Sequence, residues 1–249
     1  MRVLLTAVNC PKGAIEKNLS RHLELLREGA AQRCDLVLLP EMSLTGYLPA
    51  AAITLDHPAV AELAGATAGR PGVCFGLVEL AGDGGAPYIT QVVAAAGALQ
   101  VVHRKNHLGE GEPGSFQPGR RAGSFTIAGT TCALAVCAEI GAPAAYPPGS
   151  ELVLGPAAPG LYGQRRASPD DWQRGFDWWC GSVLDDARRL LAPGQLLAVS
   201  TQQGATDDED FPGWACLVGA GGVLLAGLPD WQEATLAVAV PAGQKSSAI

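Results

Sequence analysis

The sequence predicts a single α/β domain, residues 1–249, with mixed sheets and helices on the outer faces. Three observations predict it. The chain opens on a strand–helix–strand pattern. About a dozen short strand-like runs alternate with only three or four helical stretches. Hydrophobic residues make up 48% of the 249 residues against 16% charged, enough to fill a sizeable core. No linker divides the chain, because the Gly/Pro-rich stretches at 109–123 and 141–166 lie between ordered segments.

The elements follow in order. Residues 2–8 (RVLLTAV) read as a buried strand. Ile15, Leu19, Leu23, Leu26 and Ala30 recur at three- and four-residue spacing, which marks an amphipathic helix. Asp35–Pro40 is a second apolar strand, so the sheet begins parallel. Val60, Leu63 and Ala64 suggest a helix ended by Gly69, Arg70 and Pro71, and residues 73–80 resume strand character. Tyr88–Ala95 and Leu99–Arg104 flank a Gly-containing turn and read as an antiparallel pair. Ser124–Ile127, Cys132–Val136 and Glu151–Leu154 continue as strands. Ser168 before Pro169, with an acid three residues on, is an N-cap signature. The helix it opens carries Trp172, Phe176, Trp179, Val183, Ala187 and Leu190 on one face. Leu196–Thr201, Trp214–Val218, Val223–Ala226 and Ala234–Val240 return to strands, and the closing GQKSSAI is expected to fray.

Composition excludes more than it reveals. A net charge of −7 argues against a nucleic-acid binder, whose affinity rests on basic clusters. No apolar run reaches the roughly 18 residues of a membrane span. Arg2 followed by VLLTAV is not a signal peptide. The seven cysteines are odd in number and show no C-x-x-C spacing, so they read as reduced thiols in a cytoplasm, mostly small core residues.

Three local arrangements carry chemistry. In the first, the apolar run Leu36–Leu39 leads into Pro40 and Glu41, and ligands collect at the C-terminal ends of strands in open α/β sheets. Alone, Glu41 could equally be a surface carboxylate capping the next segment. In the second, Val101–Val102 ends in His103, Arg104, Lys105, Asn106 and His107. A solvated basic edge is the ordinary explanation, and the two histidines lack the helical zinc spacing and a third ligand. In the third, the run Cys132–Val136 leads into Cys137, Ala138, Glu139 and a glycine at 141. A nucleophile at a sharp strand-to-helix turn is exposed, and backbone N–H groups there can hold an oxyanion. Cys10 also follows a strand, but Pro11 comes next and no acid is near.

The order Glu, Lys, Cys, each at a strand end, resembles the nitrilase superfamily of carbon–nitrogen hydrolases. The matching segments are Pro40-Glu41 with Gly46-Tyr47, the run from Arg104 to Leu108 around Lys105, and Cys137-Ala138-Glu139. The spacings, 64 residues from Glu41 to Lys105 and 32 from Lys105 to Cys137, are also typical of that family. Glu112, ahead of Phe116-Gln117-Pro118-Gly119, fits the family's second glutamate, with Glu110 ranked below it. The Gly149–Pro156 run and the closing strands fit as well, so roughly residues 2–240 are covered. Departures are His103 where tyrosine is common, Ile89 after Tyr88, no arginine after Cys137, and small residues from 141 to 147. They bear on the substrate and leave the triad intact.

The resemblance implies a four-layer α-β-β-α sandwich of two mixed sheets, and a homodimer or larger with the Trp172–Leu190 helix as a candidate contact face. It implies Cys137 as nucleophile, Glu41 as general base, Lys105 with the Ala138 N–H at the oxyanion, Glu139 in the elbow, and Glu112 holding Lys105 and substrate. No metal or organic cofactor is required. The implied substrate is a small amide or carbamoyl compound; a nitrile, or a non-catalytic binding role, are the alternatives. Tyr146, Tyr162 or a neighbouring subunit are expected to supply the substrate walls that the small residues at 141–145 cannot.

Overall fold

Runs of apolar or alternating residues form strands, and residues at three- and four-residue spacing form helices. A computed structural model gives the fold and describes residues 1–160 and 163–241. In chain order the elements are β1 (Arg2–Val8), α1 (Ile15–Ala31), β2 (Leu36–Leu38), α2 (Pro58–Gly65), β3 (Gly72–Glu79), β4 (Tyr88–Ala95), β5 (Ala98–Arg104), β6 (Phe125–Ile127) and β7 (Thr130–Leu134). They continue with β8 (Leu152–Ala157), α3 (Pro169–Leu190), β9 (Leu196–Ala205), β10 (Asp210–Pro212), β11 (Cys216–Gly219), β12 (Val223–Gly227) and β13 (Ala234–Ala239). The expected fraying of GQKSSAI lies outside the described residues. No helix among the described residues is long and apolar enough to cross a membrane.

The strand order is β5-β4-β3-β2-β1-β9-β8-β7-β6, with β10 to β13 branching from it. β3, β2, β1, β9, β8 and β7 are parallel neighbours in that order, whereas β4, β5 and β6 attach antiparallel. Two of the antiparallel hairpins, β4–β5 and β6–β7, have two-residue turns with both residues at positive φ, Ala96-Gly97 and Ala128-Gly129. That left-handed pair matches the strands' twist. β1 lies against β13 through Arg2–Ala7 and reaches β9 only at Ala7–Thr201 and Val8–Gln202. The sheet therefore has two arms that meet at one end of β1.

Side chains alternate along β1. Leu4 and Val8 join a cluster under α1 and α2 with Leu25, Leu26, Val60, Leu63 and Phe75. Val3 and Leu5 point the other way, into a cluster with Leu36 and Leu38 of the first arm and Leu134, Leu154 and Leu217 of the second. A third cluster covers the far face of the second arm, where Trp172, Phe176, Val183 and Ala187 of α3 pack on Val153, Leu197 and Val199. Each helix thus buries one stripe.

Several boundaries differ from expectation. β2 is only three residues long, because Pro40 has no N–H to continue the ladder. β7 ends at Leu134, two residues short, since the chain turns sharply at Cys137. Ser168 stands before α3 without capping a backbone N–H; its hydroxyl donates to Asp171 at 2.6 Å. β10 was not anticipated; a three-residue strand ending in proline gives no readable period.

Gly76 in β3 makes room for the segment after β2. A Cβ there would collide with the Met42 backbone N and lie 2.7 Å from Gln91 Oε1. Leu44 N–H donates to Gly76 O at 2.8 Å, and Gly76 N–H donates to Ser43 Oγ at 3.2 Å. Gly76→Ala should destabilise the protein by about 1–3 kcal/mol and displace the turn carrying Glu41. Chemical denaturation checks this; wild-type stability in the variant would show that β3 has room to spare.

Candidate active site

The parallel strands bring their C-terminal ends to one edge, and β5, antiparallel to β4, runs the same way as β3. Glu41 follows β2, Lys105 follows β5, Cys137 follows β7 and Ala158 follows β8. The sequence-predicted residues Glu41, Lys105, Glu112 and Cys137 converge there.

Lys105 is the centre of the cluster. It has no solvent exposure, and its Nζ donates to Glu41 Oε1 and to Glu112 Oε1, each at 2.7 Å. Burial alone would depress the ammonium; Glu41, Cys137 and Glu112 outweigh it and hold Lys105 above its ordinary range. Glu41 is fully buried, and its second oxygen accepts the Ala158 N–H at 3.1 Å. Burial pushes its carboxyl up to about 7; Lys105 opposes that shift and Glu112 adds to it. The Gln202 side chain donates to the Glu41 carbonyl at 2.8 Å, fixing the turn from β9.

Glu112 is held from three sides, by Lys105, by the Tyr47 hydroxyl at 3.2 Å and by the Gly109 N–H at 2.5 Å. Burial, followed by the charges of Glu41 and Glu112, pushes the Tyr47 phenol upward, so it stays a donor. Glu110 is exposed and has no place in this cluster.

Cys137 has φ +48, the left-handed region that a non-glycine residue adopts at a cost. It begins a short helical turn, Cys137–Gly141. The residue is half-buried, and its thiol lies close enough to Glu41, Lys105 and Glu112 to feel their charges. Burial and the two carboxylates push the thiol up, and Lys105 pulls it back in part. The resting cysteine is therefore a protonated thiol that needs a base. The other six cysteines are also unpaired.

Glu139 does not face the thiol. Its carboxylate accepts from the Val136 N–H at 3.0 Å and the Asn106 N–H at 2.9 Å, and meets His103 Nε2 at 2.8 Å. Burial would raise it, but these partners outweigh burial and hold it at about 2. His103 is thus buried against a carboxylate, while His107 is exposed, so the two do not act as a pair. Among the described residues no group of three or more His, Cys, Asp or Glu side chains could hold a metal ion.

Tyr146 packs with the α3 cluster and donates to Ile140 O at 2.7 Å. Ala145 joins the same cluster, and Tyr162 lies outside the described residues. Cys137 packs against a cluster of Met42, Val78, Ile89, Phe116 and Val136, which Tyr47 and Leu108 also join. Tyr47 belongs to the segment already matched with Glu41, whereas Ala158 and Gln202 gave no signal in the sequence. The small residues ending β8 were the only hint that a backbone N–H would be accessible there.

The carbon-nitrogen hydrolase family model matches residues 4–172. The chain belongs to the carbon-nitrogen hydrolase family. No curated protein matches the hydrolase significantly. Among solved structures, the NitN amidase of Nesterenkonia sp. AN1 is 24% identical, with a TM-score of 0.77 over 97% of this chain and 93% of that one. A mutant of the Nesterenkonia sp. AN1 amidase, with acrylamide joined to its active-site cysteine by Michael addition, is 22% identical with a TM-score of 0.76, covering 97% and 93%. The glutamine-dependent NAD+ synthetase of Acinetobacter baumannii, in complex with ADP, is 19% identical with a TM-score of 0.78, covering 95% of this chain and 44% of that one. At these identities the likeness shows a shared α/β fold.

The hydrolase should lose stability in acid partly through Glu139. A depressed carboxyl contributes stability that is present above its unfolded value of about 4.5 and lost as pH falls through about 2. The contribution is on the order of 3 kcal/mol. Urea unfolding from pH 5 to 2 should show a steeper fall for wild type than for Glu139→Gln; parallel curves would mean that the carboxylate is not held this way.

Proposed function

We propose that this enzyme hydrolyses a small amide or carbamoyl compound through a thioester on Cys137. One observation carries the reading: a buried Lys105 ammonium lies 2.7 Å from both Glu41 and Glu112, beside a cysteine at a strained turn. The active-site cysteine of the Nesterenkonia amidase, which adds to acrylamide, supports a nucleophilic role for Cys137.

Cys137 Sγ attacks the carbonyl carbon while Glu41 takes the thiol proton. A base whose proton leaves at about 7 is ionised enough at neutral pH to accept that proton, and acid enough to return it to the leaving nitrogen. The carbonyl oxygen becomes an oxyanion held by Lys105 Nζ and the Ala138 N–H. A donor of this kind contributes about 3–4 kcal/mol. The C–N bond breaks, the amine departs with the proton, and the thioester remains. Water, deprotonated by Glu41, attacks the acyl carbon; the C–S bond breaks, the acid leaves and the thiol is restored. Glu112, braced by Tyr47 and Gly109, keeps Lys105 from swinging toward Glu41 alone.

The same reading takes residues 1–249 as one domain. Its two arms are two mixed sheets between α1/α2 and α3, an α-β-β-α sandwich, supported by the three apolar clusters. It takes the enzyme as cytoplasmic, with reduced thiols. Two copies pack through α3, where Trp178 is 68% exposed; a monomeric mass by light scattering would remove this part.

Amide is preferred over nitrile because Ala138 leaves room beside the attacked carbon for a tetrahedral centre and its leaving amine. A panel pairing each amide with its matching nitrile should give higher kcat/KM for the amide, abolished in Cys137→Ala. A nitrile turned over to acid at least as efficiently would make the enzyme a nitrilase, and turnover surviving in Cys137→Ala would remove the mechanism.

A further inference from the structure

Lys105 follows β5 and Cys137 follows β7, and these strands stand near opposite ends of the strand order. No sheet hydrogen bond joins them, so the ladder does not set the distance between the ammonium and the thiol. One side chain spans the gap. Glu139 Oε1 accepts the N–H of Asn106, the residue after Lys105, at 2.9 Å, and Oε2 accepts the N–H of Val136, the residue before Cys137, at 3.0 Å. A carboxylate is a rigid plane, so its orientation sets the spacing of the two segments it holds.

His103 fixes that orientation. Both side chains have no solvent exposure, and His103 Nε2 lies 2.8 Å from Glu139 Oε2. The Ala122 N–H points at His103 Nδ1 at 3.2 Å, so Nδ1 carries a lone pair and the ring proton sits on Nε2, aimed at the carboxylate. Arg121 Nη2 approaches the other oxygen at 3.4 Å. A charge-assisted donor in a site without water is strong and directional.

We propose that His103 is a positioning residue: through Glu139 it holds the Cys137 elbow against the end of β5 and so sets the geometry in which Lys105 meets the oxyanion. This rests on the function proposed above.

Three variants test it. His103→Leu keeps bulk and removes the donor. His103→Gln can place an amide nitrogen near the Nε2 position. His103→Asn places its amide near Nδ1, too short to reach Glu139. Each is read by melting temperature, by kcat and KM on an amide that wild type hydrolyses, and by the rate of Cys137 alkylation with iodoacetamide, mapped by peptide. In His103→Leu and His103→Asn, kcat should fall about 10- to 100-fold, the loss typical of one charge-assisted hydrogen bond. KM should change little and Cys137 alkylation should slow. His103→Gln should recover most of both rates. A lowered melting temperature with kcat and alkylation unchanged would make His103 merely structural and overturn the proposal. So would a Gln variant as impaired as Asn, a comparison that still decides if His103→Leu does not fold. If wild type hydrolyses no amide, the proposed function falls, and the alkylation rates still decide the role of His103.

Discussion

A lysine ammonium without access to water must be neutralised, and the site is organised around that requirement. Lys105 meets two carboxylates at equal distance. Two negative charges against one positive leave the cluster short of a cation, and burial penalises the excess. Burial, with Glu112 adding to it, raises the Glu41 carboxyl to about 7 against the pull of Lys105. Under the proposed function, a glutamate raised in this way is a base suited to neutral pH. Burial, with Glu41 and Glu112 beside it, likewise keeps the thiol protonated at rest.

Holding such a cluster requires contributions from distant parts of the chain. Glu41 is fixed through its side chain by Ala158 after β8 and through its carbonyl by Gln202 of β9. Both anchors come from the second arm, while Glu41 itself comes from the first. Glu112 is braced by Tyr47 and Gly109, and the elbow by Glu139. The meeting of the two arms at the end of β1 places these groups within reach of each other. Three α-helices bury the outer faces of the arms, and the C-terminal strand ends are left to carry chemistry.

The elements legible in the sequence were those with a local cause. The opening βαβ unit, the β4–β5 hairpin and α3 each follow from periodicity or turn chemistry within a few residues. Glu41, Lys105 and Cys137 were legible as candidates because each follows an apolar run, and Glu112 because a Phe-x-Pro-Gly stretch follows it. What escaped notice depends on contacts across the fold. Gly76 matters because the Glu41 turn crosses it, and His103 because Glu139 reaches it from 36 residues away. Tyr146 was expected at the substrate, yet its hydroxyl finds Ile140 O and its ring finds the α3 cluster, a choice that tertiary packing makes. The apolar cluster that Cys137 joins draws Tyr47, Leu108 and Phe116 from three segments with no pattern in common.

The covalent intermediate is the most direct point of contact with experiment. Acid-quenching the enzyme during turnover of a small amide, then mapping peptides by mass spectrometry, reads where the acyl group resides. The expected result is one acyl group on the peptide containing Cys137, released by hydroxylamine as a thioester would be. Turnover with the acyl group on any other residue would contradict the role given to Cys137 and, with it, the roles given to Glu41 and Lys105.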